Sequence, residues 1–166
     1  MRRIRIGGAR LEHPPLPGAA AASLPDDRSQ AAALIGAGLP AAWPGIDLLD
    51  VLPMQAAAAP EDEPFGVWLI IERDTNTVVG DIGFMGPPDG GEVEIGFSVV
   101  PDRRRRGYAT EACRSLVEWV FRATAVRDVV ARSEPENEAS ARVLAASGFR
   151  RAGADRGTLR WRRRRG

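Results

Sequence analysis

The sequence predicts a mixed α/β domain in which helices pack around one sheet. Three observations predict it. Three apolar runs punctuated by turn residues lie between positions 65 and 100, an amphipathic helical pattern follows, and a strand, a helix and two further strands fill positions 127–162. The 166 residues suffice for one hydrophobic core, so we expect a single domain over residues 1–166.

The first 64 residues are rich in alanine, proline and glycine. RIRI and ARLE, at positions 3–6 and 9–12, are consistent with an edge strand. The segments PGAAAASL, DRSQAAALIGAG and DLLDVLPMQAAAA predict short helices. Because proline removes a helical hydrogen bond, we expect these helices to be broken at the prolines of the region: Pro17, Pro25, Pro40, Pro44 and Pro53.

Three strands follow in a meander. GVWLIIER and VVGDIGFMG, joined by DTNT, predict an antiparallel hairpin, and EVEIGFSVV predicts a third strand. Alternation places two sets of the third strand's residues on opposite faces, Val93, Ile95, Phe97 and Val99 on one and Glu92, Glu94, Gly96 and Ser98 on the other. The apolar set is expected to face the core, and the acidic pair needs another explanation.

The clearest helix is predicted over Tyr108–Thr124, where apolar residues recur at helical spacing, namely Ala112, Leu116, Val117, Val120 and Phe121. RDVVAR, at positions 127–132, predicts a short strand. Asn137–Ser147 predicts an alanine-rich helix that ends at Gly148. Two strands, at Phe149–Ala152 and Thr158–Arg162, complete the order.

Composition excludes several function classes. All 23 basic residues are arginines, and the acids balance them to a net charge of +1, which argues against a general nucleic-acid binder. The C-terminal LRWRRRRG invites a nucleic-acid reading with Trp161 stacked on a base, but alternation of Leu159 and Trp161 with arginines is typical of an edge strand. We therefore expect no nucleic-acid partner beyond a weak attraction to the ribosome.

The lack of targeting segments and the single cysteine and histidine predict an intracellular protein without metal. No signal peptide or membrane-spanning run is present, and the lone Cys113 cannot form an internal disulfide, so we expect a soluble protein of the reducing cytoplasm. Cys113 has no histidine partner nearby and is expected in the core. The single histidine, His13, cannot form a metal cluster and is expected to be structural or exposed.

The stretch SVVPDRRRRGYATEA, at positions 98–112, has the pattern of an anion site. A strand, a basic loop, Gly107 and a helix start present free N–H groups and the positive end of the helix dipole. Gly107 and the small Ala109 keep the first turn open to a pyrophosphate. A solvated charge patch is the alternative; the strand, glycine and helix context favours the phosphate site, although no Walker loop or GxGxxG is present.

Two motifs carry a resemblance to a family. RRRGYA, at Arg104–Ala109, matches the R/Q-x-x-G-x-G/A signature of the GNAT N-acetyltransferases, and NEASARVLAASGF, at Asn137–Phe149, resembles their second motif. The resemblance covers Val67–Trp161, and the EIGF, GYATEA and NxxS features are most similar to the RimJ/RimL-like branch that acetylates ribosomal-protein N-termini. It implies a mostly antiparallel, twisted mixed sheet flanked by helices and splayed between the fourth and fifth strands.

The resemblance implies an acetyl-CoA site. Backbone groups near the splay would bind the pantetheine arm, the loop would hold the pyrophosphate, and a backbone amide near Val99 would stabilise the thioester oxyanion. The implied coenzyme residues are Val99, Val100, Arg104, Arg105, Arg106, Gly107, Tyr108, Ala109, Thr110 and Asn137. Residues 65–166 would form the acetyl-CoA core, and residues 1–64, with Trp43, the variable acceptor side.

The implied reaction is direct attack of an amine on the thioester. A carboxylate must take the amine's proton, and Glu94 ranks first, ahead of Glu92, Asp81 or water. Many family members carry a tyrosine acid seven residues after the Asn, where this chain has Leu144, so Ser140 is the candidate donor to the thiolate. The missing tyrosine also keeps open a coenzyme-binding protein without turnover. Expected partners are acetyl-CoA and an amine, including a ribosomal-protein or peptide N-terminus, with the chain a monomer or homodimer.

Overall fold

The computed structural model describes residues 4–166, and an eight-stranded sheet organises them. Its order is β1-β2-β3-β4-β5-β6-β8-β7, and each neighbouring pair is antiparallel except β5 and β6. The strands span Ile6–Gly7 (β1), Leu11–His13 (β2), Val67–Glu72 (β3), Thr77–Phe84 (β4), Glu92–Val99 (β5), Asp128–Ser133 (β6), Arg150–Asp155 (β7) and Thr158–Arg164 (β8). The predicted mixed, mostly antiparallel sheet is confirmed.

The N-terminal segment forms two short strands where one edge strand is predicted. Gly7 and Gly8 turn the chain, and the Gly8 N–H donates to the Leu11 carbonyl at 3.0 Å. A Cβ at Gly7 would collide with that same carbonyl oxygen, so the turn requires glycine. Because of the extra strand, the splay predicted between the fourth and fifth strands lies between the fifth and sixth, which pair in parallel only over Glu92–Glu94. Arg3, the first residue of the predicted strand, lies outside the described residues.

Three helices connect β2 to β3, at Gly18–Ser23 (α1), Arg28–Ile35 (α2) and Ile46–Ala57 (α3). The expectation that Pro53 breaks a helix is wrong, since Pro53 lies inside α3. An interior proline costs about 3 kcal/mol. Burial of Leu48 and Leu52, one turn apart on the face toward the core, holds the helix through it.

The helix α4 (Tyr108–Ala123) covers one face of the sheet. Its apolar residues Ala112, Leu116, Val117 and Val120 are fully buried, as their spacing predicts, and Phe121 is half-buried. Trp119 of α4 packs on Trp68 of β3, with ring centroids 5.1 Å apart. The predicted alternation of β5 is also confirmed, because Val93, Ile95 and Val99 are buried while Ser98 is exposed.

The C-terminal part contributes α5 (Glu138–Ala146) and the hairpin of β7 and β8. The expectation that the Leu159–Trp161 strand forms an edge is wrong: β8 lies between β6 and β7, and the exposed β7 is the edge. Trp161 is 6% exposed and its indole N–H donates to Ser133 Oγ, so it cannot stack on a base. No helix of residues 4–166 is both long and apolar enough to span a bilayer.

Candidate active site

A wedge-shaped opening separates β5 from β6. The two strands pair only from Glu92 to Glu94, and beyond that point β5 continues alone on β4. The Glu94 carbonyl and the Val100 N–H both bond toward β4, and backbone groups of alternate residues point to opposite sides. The N–H and C=O groups of Phe97 and Val99 therefore face the opening, where an extended ligand can bond to them like an added strand.

The two valines predicted at this edge differ in what they offer. The carbonyl of Val99 faces the opening and accepts a 2.9 Å hydrogen bond from Arg104 Nε. The N–H of Val100 donates to the Val79 carbonyl and its carbonyl accepts from the Arg103 N–H, so both of its groups are engaged. The open edge therefore offers the backbone groups of Phe97, which the family motif does not predict as a site residue, and not those of Val100.

The arginine loop presents a row of free backbone donors. It leaves β5 through a 3₁₀ turn at Pro101–Arg103, and two positions then adopt left-handed backbone, Arg105 with φ 63° and Gly107 with φ 78°. Gly107 caps α4 without any side-chain cap, and among residues 4–166 nothing accepts from the N–H groups of residues 105–110. Such a row, at the positive end of a 16-residue helix, is an arrangement that can bind an anion.

A buried carboxylate that the sequence reasoning missed anchors this loop. Glu72, 6% exposed, accepts a 2.5 Å hydrogen bond from the Tyr108 hydroxyl and a 2.8 Å bond from Thr75. Arg103 and Arg106 lie 3.5 and 3.8 Å from Glu72 Oε2. The Tyr108 bond lowers the pKa of Glu72 and raises the pKa of Tyr108. The signal available in the sequence is an acid ending an otherwise apolar strand.

A second clamp comes from the N-terminal hairpin. Arg10 pairs with Glu111 at 2.6 Å, donates to the Arg106 carbonyl at 3.0 Å and lies 4.8 Å from the centroid of the Tyr108 ring. Tyr108 is buried, as its expected packing role requires, while Ala109 and Thr110 are half-buried in the first turn. The four arginines of the loop, Arg103–Arg106, thus divide into those that hold the loop and those that line its rim.

The second-motif residues lie at the start of α5. Asn137 is the N-cap, and its Oδ1 accepts a 3.0 Å hydrogen bond from the Ser140 N–H. Asn137 therefore has a structural role whatever else it binds. Ser140 is half-buried, and Leu144, at the position of the family's tyrosine acid, is 1% exposed and part of the core.

The acidic pair of β5 meets arginines across the sheet. Glu94 Oε1 accepts from Arg132 Nε at 3.0 Å, and Glu92 lies 3.0 Å from Arg160 and 3.7 Å from Arg162. These ion pairs lie on the face of the sheet opposite α4. The acids at every second position of β5 and the arginines at every second position of β8 therefore form one set of cross-strand ion pairs.

Asp81, on the same face, has different surroundings. It lies opposite Ser98 across the β4–β5 ladder and accepts a 2.9 Å hydrogen bond from the indole N–H of Trp43, which is 1% exposed. No arginine of residues 4–166 forms an ion pair with Asp81. Burial, reinforced by the charge of Asp47 and opposed by the Trp43 bond, raises the pKa of Asp81 to about 6.

Two further residues lie where their expected structural roles place them. Cys113 is fully buried, and burial raises the pKa of its thiol to about 11, so it is not a nucleophile. His13 is 1% exposed and its Nδ1 lies 3.2 Å from the Leu69 carbonyl oxygen. Within residues 4–166, no cluster of three or more potential metal ligands occurs.

Comparison with known proteins identifies the family. Residues 27–150 match the family model of the acetyltransferase (GNAT) domain. The chain belongs to the GNAT acetyltransferases. Among curated GNAT relatives, the uncharacterized N-acetyltransferase YjdG of Bacillus subtilis is 33% identical over 111 residues, which are 64% of this chain and 66% of YjdG. The chain spans about half to two thirds of the length of the curated relatives it matches.

Solved structures share the GNAT fold. A putative ribosomal-protein-serine acetyltransferase from Vibrio cholerae superposes with a TM-score of 0.68 at 14% identity over 98% of each chain. Mycobacterium smegmatis RimJ in complex with CoA-disulfide superposes with a TM-score of 0.69 at 21% identity, over 98% of this chain and 88% of that one. The predicted GNAT fold is confirmed, and the RimJ/RimL-like branch stays a prediction.

The GNAT coenzyme, acetyl-CoA, suits the residues present. The free N–H groups of residues 105–110 match a pyrophosphate, and the open edge of Phe97 and Val99 matches an amide-bearing arm. An ideal Cβ on Gly107 meets no protein atom closer than Arg10 Nη2 at 3.7 Å, so it would project into the space before the loop. That space is therefore available to a ligand.

Proposed function

We propose that this chain is an acetyl-CoA-dependent N-acetyltransferase that acts on a primary amine, at a protein N-terminus or on a small molecule. The observation that carries the proposal is the adjacency of two features: the open edge of β5 and the loop of free N–H groups that follows it. One binds an extended arm and the other binds its pyrophosphate. This combination suits coenzyme A better than a simple phosphate ligand.

The coenzyme contacts follow from the free groups. In the proposal, the backbone of Phe97 and Val99 bonds to the pantetheine arm and the loop over Arg104–Thr110 holds the pyrophosphate, with arginine side chains adding charge at its rim. The Val99 N–H, which points into the opening, is placed to stabilise an oxyanion. When bound, acetyl-CoA supplies an activated acetyl thioester.

Ser140 is proposed as the hydrogen-bond donor to the departing thiolate. Its N–H is held by Asn137, which fixes the first turn of α5, and among residues 4–166 its hydroxyl has no hydrogen-bond partner. A free hydroxyl at a helix N-terminus is a suitable donor to an anion. In the same proposal residues 65–166 form the coenzyme-binding core, and residues 1–64, which supply Trp43, shape the acceptor side.

The acceptor class is tested with purified chain, acetyl-CoA and a panel of amines. The panel contains peptides with free N-termini, polyamines and aminoglycosides, and it includes ribosomal-protein N-terminal peptides because of the structural likeness to a putative ribosomal-protein-serine acetyltransferase. Release of coenzyme thiol and mass spectrometry of the acceptor measure transfer. We expect thiol release that depends on the amine, with acetylation on nitrogen.

A second function is favoured by one observation, the buried Leu144 in place of the family's tyrosine acid. It is the binding of acyl-CoA without turnover. Calorimetry with acetyl-CoA separates the two functions: micromolar or tighter binding with no thiol release across the panel assigns the binding protein. Amine-dependent thiol release assigns the transferase, and absence of coenzyme binding contradicts both.

A further inference from the structure

The geometry points to Asp81 as the group that takes the proton from the acceptor amine, and to Trp43 as the residue that positions it. The inference rests on the proposed function and names a residue of the acceptor site. It places Asp81 ahead of Glu94, the carboxylate that the motif alone ranks first.

The partners of the three carboxylates differ in kind. Glu94 Oε1 accepts from Arg132 at 3.0 Å and Glu92 Oε1 accepts from Arg160 at 3.0 Å, so each of these carboxylates is paired with a cation. Asp81 has one neutral donor, Trp43, on Oδ2, and nothing among residues 4–166 donates to its other oxygen. A carboxylate with a free oxygen and no cation is better able to accept a proton than one held in an ion pair.

The position of Asp81 also differs. Asp81 pairs with Ser98, the residue before Val99, whose backbone faces the opening between β5 and β6. Glu94 lies at the closed end, where β5 still pairs with β6. Next to Asp81 on the same face, Gly83 opposes Gly96, and the Gly66 carbonyl oxygen and the Met85 methyl group lie where Cβ atoms of these glycines would be. Asp81 itself is half-buried.

Trp43 fixes the aspartate from the loop between α2 and α3. Its indole is buried, and Arg28 holds the loop by donating to the carbonyls of Trp43 at 2.9 Å and Pro40 at 3.1 Å. The N–H is thereby directed at Asp81 Oδ2. The charged group that acts on Asp81 from the packed helices is Asp47 of α3. Its neighbours on the adjoining strands, Leu69 and Ser98, carry no charge.

The proton balance is complete with the groups named. The amine enters as an ammonium and gives one proton to the Asp81 carboxylate, which passes it to solvent. The neutral nitrogen then forms the C–N bond as the C–S bond breaks, and its second proton goes to the thiolate through water or the Ser140 hydroxyl. A pKa of about 6 keeps Asp81 ionised near neutral pH yet more basic than an ordinary aspartate.

The test is the pH dependence of kcat/KM for an amine that the wild-type chain acetylates. In the wild type we expect kcat/KM to fall in acid as Asp81 is protonated, and this fall is the acid limb of the profile. Asp81→Asn is expected to lower kcat by about a hundredfold or more and to remove the acid limb. Trp43→Phe keeps the apolar ring but deletes the donor that lowers the pKa of Asp81, so the limb is expected to move up by about one pH unit. Asp128→Asn, the same substitution on an aspartate of β6 that pairs with Arg164, is the matched control.

Coenzyme affinity and a thermal melt are measured for each variant, so that a misfolded protein is recognised. The inference is overturned if folded Asp81→Asn keeps the wild-type profile, if Trp43→Phe leaves the limb in place, or if Glu94→Gln removes the limb instead. Each of these outcomes requires a wild-type chain that acetylates at least one amine. A wild-type chain that acetylates no amine overturns the proposed function itself.

Discussion

The hydroxyl of Tyr108 donates a 2.5 Å hydrogen bond to Glu72, and this bond joins the first residue of α4 to the last residue of β3. Arg103 and Arg106, in the loop between β5 and α4, approach the same carboxylate. One buried acid at the end of β3 therefore contacts both ends of the arginine loop. Part of the affinity for coenzyme should depend on a residue that never touches it.

Glu72→Gln tests this anchor. The amide keeps the volume but loses the charge that faces two arginines, so we expect unfolding to become easier by about 1–3 kcal/mol. Looser ordering of the loop should weaken coenzyme A binding by about tenfold, measured by calorimetry. Glu118→Gln, on the exposed face of α4, is the matched control. Unchanged affinity in a folded Glu72→Gln protein would show that the loop orders without its anchor.

The pH dependence of this anchor has a definite sign. Because the folded-state pKa of Glu72 is lowered from 4.5, its contribution to stability is present above that value. It is lost as the pH falls through the lowered value. Glu72→Gln should therefore destabilise the protein near neutral pH and lose its effect in acid.

Gly107→Val should weaken coenzyme binding by at least about tenfold, because the new side chain enters the space before the loop. The left-handed backbone, φ 78°, adds a strain of about 1–2 kcal/mol to the fold. Gly36→Val is the control, since Gly36 has a similar φ of 81° at the end of α2 and no atom near its Cβ position. Equal coenzyme affinities for the two variants would rule out a local role for Gly107.

Ser140→Ala should lower kcat by roughly a hundredfold while leaving coenzyme affinity unchanged, because the proposed hydroxyl acts on the leaving group. The hydrogen bond that caps α5 uses the Ser140 N–H and survives the change. Ser23→Ala on α1 removes a comparable hydroxyl away from the coenzyme loop and serves as control. A wild-type kcat for Ser140→Ala would remove the proposed role.

His13 should make stability depend on pH. Burial lowers the pKa of His13 below 6.5, and its Nε2 has no partner among residues 4–166. Below about pH 6.5 the unfolded chain gains a proton that the folded chain resists, so the free energy of unfolding falls with falling pH. His13→Phe should flatten this dependence in urea titrations at about pH 7.5 and about pH 5.5. Parallel pH dependences for wild type and variant would exclude His13 as the cause.

Local patterns were sufficient for the elements of the coenzyme half. Period-two alternation placed β5, and helical spacing placed α4 within one residue of its end. These signals are strong because each element buries one face on the core, which selects apolar residues at a fixed period. The helix expected to break at Pro53 shows the limit, since burial of Leu48 and Leu52 overrides a local preference.

Local residue patterns predicted most of the strands and helices in their order, the loop with the pattern of an anion site and the family motif, because each depends on residues that are neighbours in the chain. The partners of the carboxylates depend on the fold instead. Glu94 and Arg132 are 38 positions apart, as are Trp43 and Asp81, and no local pattern pairs residues so distant. Folding neutralises Glu94 with an arginine and leaves Asp81 with a single indole donor, because cross-sheet contacts, rather than residue type, set the environment of a charge.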